Sequence, residues 1–224
     1  MHQLKLFVAP GTCARVPTIA LEEIGVAFET ELIRMASKQF NTPEFLAINP
    51  KGKVPTMLID GQPLTENVAI NSWLHRTYPE ANLLPRTEDL LEQQKQIADL
   101  AFFAATVHPL VTRIAMPMFF TSEGDPFLSI RPKGIADMKP VMTMINDRLD
   151  KGGWWYGDQW SIVDGYLFWA WWRVTGVGFP QDAFPNIVDH AARITERPSV
   201  ARAMAREAAN IEVLKAEGLY VAPK

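Results

Sequence analysis

The chain has 224 residues, of which 48% are hydrophobic and 21% charged, so it can bury a sizeable core and is neither disordered nor fibrous. A formal net charge of -3 with scattered Lys and Arg offers no basic stripe to a nucleic-acid backbone. Cys13 is the only cysteine, which excludes an intramolecular disulfide and a Cys-rich metal site.

Up to about Tyr78, short apolar runs alternate with helical patterns. Leu4 to Val8 reads as a strand, Val16 to Ile24 as a helix, Phe28 to Met35 as a strand and Pro43 to Ile48 as a short helix. Strands are expected over Thr56 to Ile59 and Gln62 to Leu64, then a helix over Val68 to Tyr78 with Ile70, Trp73, Leu74 and Tyr78 facing the sheet. Asp60-Gly61 is a preferred two-residue hairpin turn, so the last two strands should be antiparallel neighbours. The order β-α-β-α-β-β-α describes a small α/β domain.

Pro79 through Thr87 reads as a linker, because Pro79 and Pro85 block helix continuation. Beyond it only helices are expected: Glu88 to His108, Pro132 to Leu149, Ser161 to Val174, Asn186 to Thr195 and Pro198 to Ala209. The third has the clearest local logic. Ser161 and Asp164 form a capping box with Asp in the place of Glu, and Tyr166 to Trp172 is apolar on nearly every side. Such a helix runs through a core, where its first amides need a cap because water cannot reach them. Seven Trp, twelve Phe and four Tyr must be hidden there or line an aromatic pocket. Asp, Arg, Pro or Gly interrupt every apolar stretch short of a membrane span, and the N-terminus lacks a signal core. The expectation is a soluble cytoplasmic protein with no membrane segment. His2, His75, His108 and His190 lie far apart without paired ligand spacing, so no metal site is expected.

Four places carry chemistry. Cys13 sits between the first strand and the first helix, where free amides and the macrodipole favour a thiolate; the alternative is a small apolar residue packed under the helix. Asn49-Pro50-Lys51-Gly52-Lys53-Val54-Pro55 ends in Val-Pro at the mouth of a strand, where Pro55 either starts the strand or takes a cis bond. A bent Val54 would offer its N–H and C=O to an extended peptide-like ligand. At Leu64-Thr65-Glu66-Asn67 the free amides suit a carboxylate and the Glu66 side chain an ammonium, with ordinary capping as the alternative. His108, on an inner helical stripe and followed by Pro109, is either a hydrogen-bonded core residue or a group that positions or deprotonates a thiol. No dinucleotide fingerprint, phosphate loop or Gly-x-Ser-x-Gly elbow is present.

Taken in order, Leu4 to Phe7, Pro10 to Cys13, Phe45 to Pro55, Leu64 to Ile70, Tyr156 to Asp164 and Ala216 to Leu219 resemble the glutathione transferase family, and within it the bacterial beta class. The resemblance spans nearly the whole chain. It implies a thioredoxin-like glutathione-binding domain over 1–79, a linker over 80–87 and an all-helical domain over 88–224 that contributes the site for an apolar electrophile. It also implies a homodimer and glutathione as co-substrate. Carried over residue by residue, Cys13 faces the glutathione sulfur and can form a mixed disulfide with it, and His108 is the active-site histidine. Val54, before a cis Pro55, pairs with the cysteinyl part. Glu66 and the amide of Asn67 hold the γ-glutamyl end, Lys38 meets the glycyl carboxylate, and Lys53 belongs to the same binding set. The capping box is likewise a feature of the family.

The departures are Asn67 where the class usually has Ser or Gly, Thr12 as a second hydroxyl beside Cys13, and a longer, more apolar stretch from Ile114 to Arg131. Met116, Phe119, Phe120, Trp169 and Trp172 are candidates for an aromatic-accepting pocket, with plain core as the alternative. The reaction implied is thiolate attack on a hydrophobic, aromatic electrophile, with the amides at Cys13 and Ala14, Thr12 and His108 stabilising the thiolate. Aryl-ether cleavage or dehalogenation, disulfide exchange through Cys13, and a non-enzymatic ligand-binding role are the alternatives.

Overall fold

The computed structural model describes residues 2–222. Met1, Pro223 and Lys224, which the sequence-drawn domain limits include, lie outside the described residues. The described chain forms two units, one of residues up to Leu83 together with Arg197–Ala222, the other of Leu84–Glu196.

In the first unit, β1 (Leu4–Val8), β2 (Glu29–Leu32), β3 (Thr56–Ile59) and β4 (Gln62–Thr65) form one sheet in the order β2-β1-β3-β4. β1 and β2 are parallel, and β3 is antiparallel to both β1 and β4. Period-two alternation in Leu4-Lys5-Leu6-Phe7-Val8 sends side chains to opposite faces. Leu6 and its cross-strand partner Met57 are fully buried, while Phe7 joins Ile33 and Phe45 in a separate cluster. Asp60 and Gly61 both take positive φ, 50° and 83°, as the tight β3–β4 hairpin requires. The helices are α1 (Arg15–Ile24), α2 (Pro43–Ile48), α3 (Asn67–Thr77) and, from the far end of the chain, α9 (Pro198–Ala216). In α3, Ile70 and Leu74 are fully buried and Trp73 packs edge-on against Tyr78.

α9 packs along α1 and carries its ionic partners. Glu22 receives Arg202 and Arg206 at 2.6 and 2.5 Å, Glu23 receives Arg197, and Arg15 meets Glu207. Burial pushes the Glu22 carboxyl up, but its two arginines outweigh that and hold it below the usual carboxylate range. Grouping by packing thus differs from the chain-order division drawn from the sequence, which counts 197–222 with the helical domain. The reason is this charged seam, formed by residues roughly 180 positions apart.

The second unit contains α4 (Leu90–Phe102), α5 (His108–Ala115), α6 (Pro126–Leu149), α7 (Ile162–Thr175) and α8 (Pro185–Thr195). A single helix over Glu88 to His108 was expected. Instead α4 gives way to a π-helical turn over Phe103–Val107 before α5 begins. Pro109 has no N–H and its ring would crowd the carbonyl four residues back, and an extra residue in the turn relieves both problems. Leu90–Ala115 is 26 residues long and, by length and composition alone, apolar enough to cross a membrane, although Asp99, Pro109 and Arg113 interrupt it. Leu100, Phe103, Val107, Val111 and Ile114 are buried within the unit, as in a core helix. α6 starts six residues before the expected Pro132, because Asp125 accepts from Phe127 N–H and Pro126 suits the first turn.

α7 follows the sequence reading closely. Residues Ile162 to Trp171 are all buried, and the Ser161–Asp164 capping box is formed. Asp164, itself fully buried, accepts from Ser161 N–H and Oγ, from Trp155 N–H at 2.8 Å and from His190 Nε2 at 3.0 Å. One carboxylate thereby ties the start of α7 to the preceding loop and to α8.

Candidate functional site

In the first unit the structure brings together Thr12, Cys13, Val54, Pro55, Glu66 and Asn67. After β1 the chain turns through Ala9 to Ala14, with Gly11 at φ 75°. Thr12 Oγ1 donates to Ala9 C=O at 2.6 Å and accepts from Ala14 N–H, so its hydroxyl braces the turn from within. Cys13 is 7% exposed. Its S–H lies 3.9 Å from Val54 C=O, and Asn67 Nδ2 donates to Cys13 C=O at 3.2 Å. Burial pushes the Cys13 thiol up to about 12, against smaller opposing contributions from its own backbone N–H, Asn67 and Lys53. The thiolate expected from a helix N-terminus is not what this environment favours. Desolvation exceeds what the nearby donors return, and Cys13 is a protonated S–H donor at neutral pH.

The Val54–Pro55 peptide bond is cis, one of the two alternatives the sequence left open. The turn that delivers it is fixed by a residue missed as a site candidate. Asn49, 1% exposed, donates from Nδ2 to Lys53 C=O at 2.8 Å and to Thr56 Oγ1 at 2.9 Å, and accepts from Lys51 N–H. Gly52 must be glycine here, because φ is +60° and a Cβ would come within 2.9 Å of Phe40 C=O.

Glu66 precedes α3 with φ 74° and ψ 127°, a strained conformation for a residue with a side chain. No side chain caps α3, so the amides of Asn67 and Val68 have no acceptor among the described residues. That is the arrangement that receives a carboxylate. Glu66 is exposed and its carboxylate is paired with Lys51 Nζ at 2.7 Å. Asn67 is buried, and Asn71 Nδ2 donates to its C=O at 2.8 Å from one turn on. Lys38, at φ 57°, and Lys53 are exposed. A peptide with a free carboxylate at one end fits these features. The cis turn presents the backbone of Val54, α3 presents uncapped amides, and the Cys13 turn lies beside Val54.

In the second unit, His108 opens α5 after the π-turn. Its Nδ1 is 3.3 Å from Tyr166 Oη, and its ring sits edge-on to Trp169 with centroids 4.6 Å apart. Trp169 is 3% exposed and belongs to the core, whereas Trp172 is half-buried. Met116 ends α5, with its Sδ 3.4 Å from Arg173 Nη2 on α7. Phe119 and Phe120 are 68% and 43% exposed on the turn that follows, Phe120 lying under the Arg113 guanidinium. A separate cleft of about 710 Å3 between α4 and α6 contains none of the predicted residues. In it Tyr156 donates to Asp99 at 2.7 Å, and Arg148 lies over Trp155 and donates to its carbonyl. Among the described residues no cluster of three His, Cys, Asp or Glu side chains is placed to hold a metal.

Residues 11–77 match the family model for the glutathione S-transferase N-terminal domain, and 96–193 that for the glutathione S-transferase C-terminal domain. Glutathione S-transferase GstA of Escherichia coli O157:H7 is 30% identical over 210 residues, covering 91% of this chain and 98% of that protein. A bacterial beta class glutathione S-transferase of Sphingomonas chungbukensis is 32% identical with a TM-score of 0.78, covering 91% and 98% of the two chains. A glutathione transferase homologue from Sulfitobacter, solved with bound glutathione, is 26% identical with a TM-score of 0.82, covering 92% and 99%. The chain therefore belongs to the glutathione S-transferase family, with that family's thioredoxin-like and helical parts, glutathione transferase activity and glutathione as co-substrate.

Proposed function

We propose that this beta-class-like transferase conjugates glutathione to apolar, aromatic electrophiles, in a cytoplasmic, homodimeric detoxification role. In this reading residues 1–79 bind glutathione, 80–87 link, and 88–224 contribute the electrophile site. The observation that carries the choice of reaction is the burial of Cys13. Burial pushes the thiol up to about 12, so at pH 7 it is protonated. It serves as a hydrogen-bond donor and is a poor partner for disulfide exchange, which needs the thiolate.

Glutathione supplies the nucleophilic sulfur. The chain's part is to bind, orient and stabilise. Val54 pairs with an extended backbone, the amide of Asn67 takes a carboxylate with Glu66 beside it, and Lys38 and Lys53 add positive charge at the rim. The amides of Cys13 and Ala14, the Cys13 S–H and Thr12 lower the free energy of negative charge on sulfur, because donors fixed before the reaction cost no reorganisation during it. His108 is assigned to the same task. For the electrophile, support comes from Met116, Phe119, Phe120 and Trp172, which leave apolar and aromatic surface on and beside the turn after α5.

The test is retention on glutathione-agarose, followed by turnover of a chlorodinitrobenzene-type electrophile and of an aryl ether. Conjugation of the first is expected. Turnover of the ether alone would favour ether cleavage, and binding with no turnover of either would favour a ligand-binding protein.

A further inference from the structure

We infer that Glu207, on α9, is a positioning residue for the thiol turn, an inference that rests on the proposed use of that turn to stabilise the glutathione sulfur. Its carboxylate grips the turn on both sides of Cys13. Two residues before the cysteine, Gly11 N–H donates to Glu207 Oε1 at 3.1 Å. Two residues after it, Arg15 donates from Nη2 to Oε1 at 2.7 Å and from Nε to Oε2 at 3.0 Å. The bidentate pair fixes direction as well as distance. The Arg15 side chain is fully buried and that of Glu207 is 11% exposed, so little solvent screens the pair.

The turn needs such an external hold. Gly11 at φ 75° is the residue with most conformational freedom to lose, and Thr12 bonds only within the turn itself. Asn67 holds the Cys13 carbonyl from α3, and α9, which its other pairs to Glu22 and Glu23 fix along α1, holds the residues on either side of it. The charge order also reverses along this seam. Acids on α1 meet bases on α9 at the far end, whereas at the thiol end a base on α1 meets an acid on α9. A shift of α9 by one turn would put Ala203 or Ile211 in the place of Glu207 and leave the buried Arg15 without a carboxylate, so the seam defines the register that brings Glu207 to the turn. The pairing has an electrical consequence too. Arg15 lies two residues from Cys13, and Glu207 cancels its charge, leaving local donors as the means of stabilising an anion there.

Glu207→Gln keeps the volume and the oxygen shared by Gly11 and Arg15 Nη2, but removes the charge and the acceptor for Arg15 Nε, so the bidentate grip is lost. Two readouts separate positioning from bulk stability. One is hydrogen exchange in the protein without glutathione, where the amides of residues 11–15 are expected to exchange about tenfold faster relative to β3 and α3, a difference reporting local opening. The other is the pH at which bound glutathione ionises, followed by thiolate absorbance, which is expected to rise by roughly half a unit to one unit as the donors lose alignment. A uniform rise in exchange, an unchanged midpoint, or a midpoint that falls because Arg15 is no longer neutralised would each overturn the inference. If Glu207→Gln does not fold, the double variant Arg15→Met with Glu207→Met removes the buried charges together. The same local loss of protection at residues 11–15 is then expected, and its absence overturns the inference. Because exchange is read without glutathione, a wild-type protein that fails to ionise the bound thiol would refute the proposed function separately.

Discussion

Cys13 shows how position and environment pull a thiol in opposite directions. The start of α1 favours the anion, but 7% exposure removes the water that would solvate it. The folded thiol titrates near 12 and an ordinary one near 9.0. Between those values the unfolded chain loses its proton while the folded chain keeps it. Stability should therefore be unaffected below pH 9, then fall by up to about 1.4 kcal/mol per pH unit toward 12. Denaturant titrations of wild type and Cys13→Ala across that window are expected to show a steeper decline in the wild type; parallel curves would mean that the thiol is not desolvated. At pH 7 the same variant should still bind glutathione while turning over at least several-fold more slowly, since a donor is lost and the amides remain. Asn49 makes a second residue-scale case. Asn49→Ala breaks the three hydrogen bonds of that side chain across the turn that presents Val54, and should cost about 2 to 3 kcal/mol and raise the KM for glutathione more than it lowers kcat. Equal KM values would show that the turn holds its shape without it.

At the scale of elements, the capped helix α7 was readable because its signal is local. A hydroxyl and a carboxylate three residues apart precede an apolar run, and both the cap and the burial follow. What the sequence does not show is how much hangs on Asp164, whose partners Trp155 and His190 lie 9 and 26 residues away. Asp164→Ala leaves several buried donors without an acceptor and is expected to destabilise the chain by about 3 to 5 kcal/mol, read as a lower denaturant midpoint. A loss under 1 kcal/mol would show that water or neighbours replace the carboxylate. The α4–α5 break was illegible for a related reason. A π-turn slips the helical period by one residue without altering composition, so Ile97, Ala101, Ala104 and His108 read as one unbroken stripe. The Asp60-Gly61 hairpin and the bounds of β1, α2 and β3 were legible because turn chemistry and period-two patterning are confined to a few residues.

At the scale of the molecule, chain order and packing disagree. Reading along the sequence separates 1–79 from the helices, yet Arg15, Glu22 and Glu23 find their partners on α9, 192 residues on in the case of Arg15. No local pattern announces a pair at that separation, which is also why Glu207 escaped notice as a site residue. A fragment ending at Leu83 is accordingly expected to lack a cooperative thermal transition, because it exposes the α1 face that α9 covers; a sharp transition would show α9 to be dispensable. The residues proposed to face glutathione were legible as an ordered series of short motifs, which also offered a cis Val54–Pro55 bond and free amides before α3; the structure adds the desolvation of Cys13 and the bracing of the cis turn by Asn49. The central claim is that fixed donors around the Cys13 turn ionise the glutathione sulfur while Cys13 stays protonated. The most direct measurement is a pH titration of thiolate absorbance for glutathione bound to the wild-type protein and to Cys13→Ala. The account predicts a midpoint at least one unit below that of free glutathione in the same buffer for the wild type, and less than one unit of rise in the variant. A wild-type midpoint at the free value, or a signal that disappears with Cys13, would contradict it.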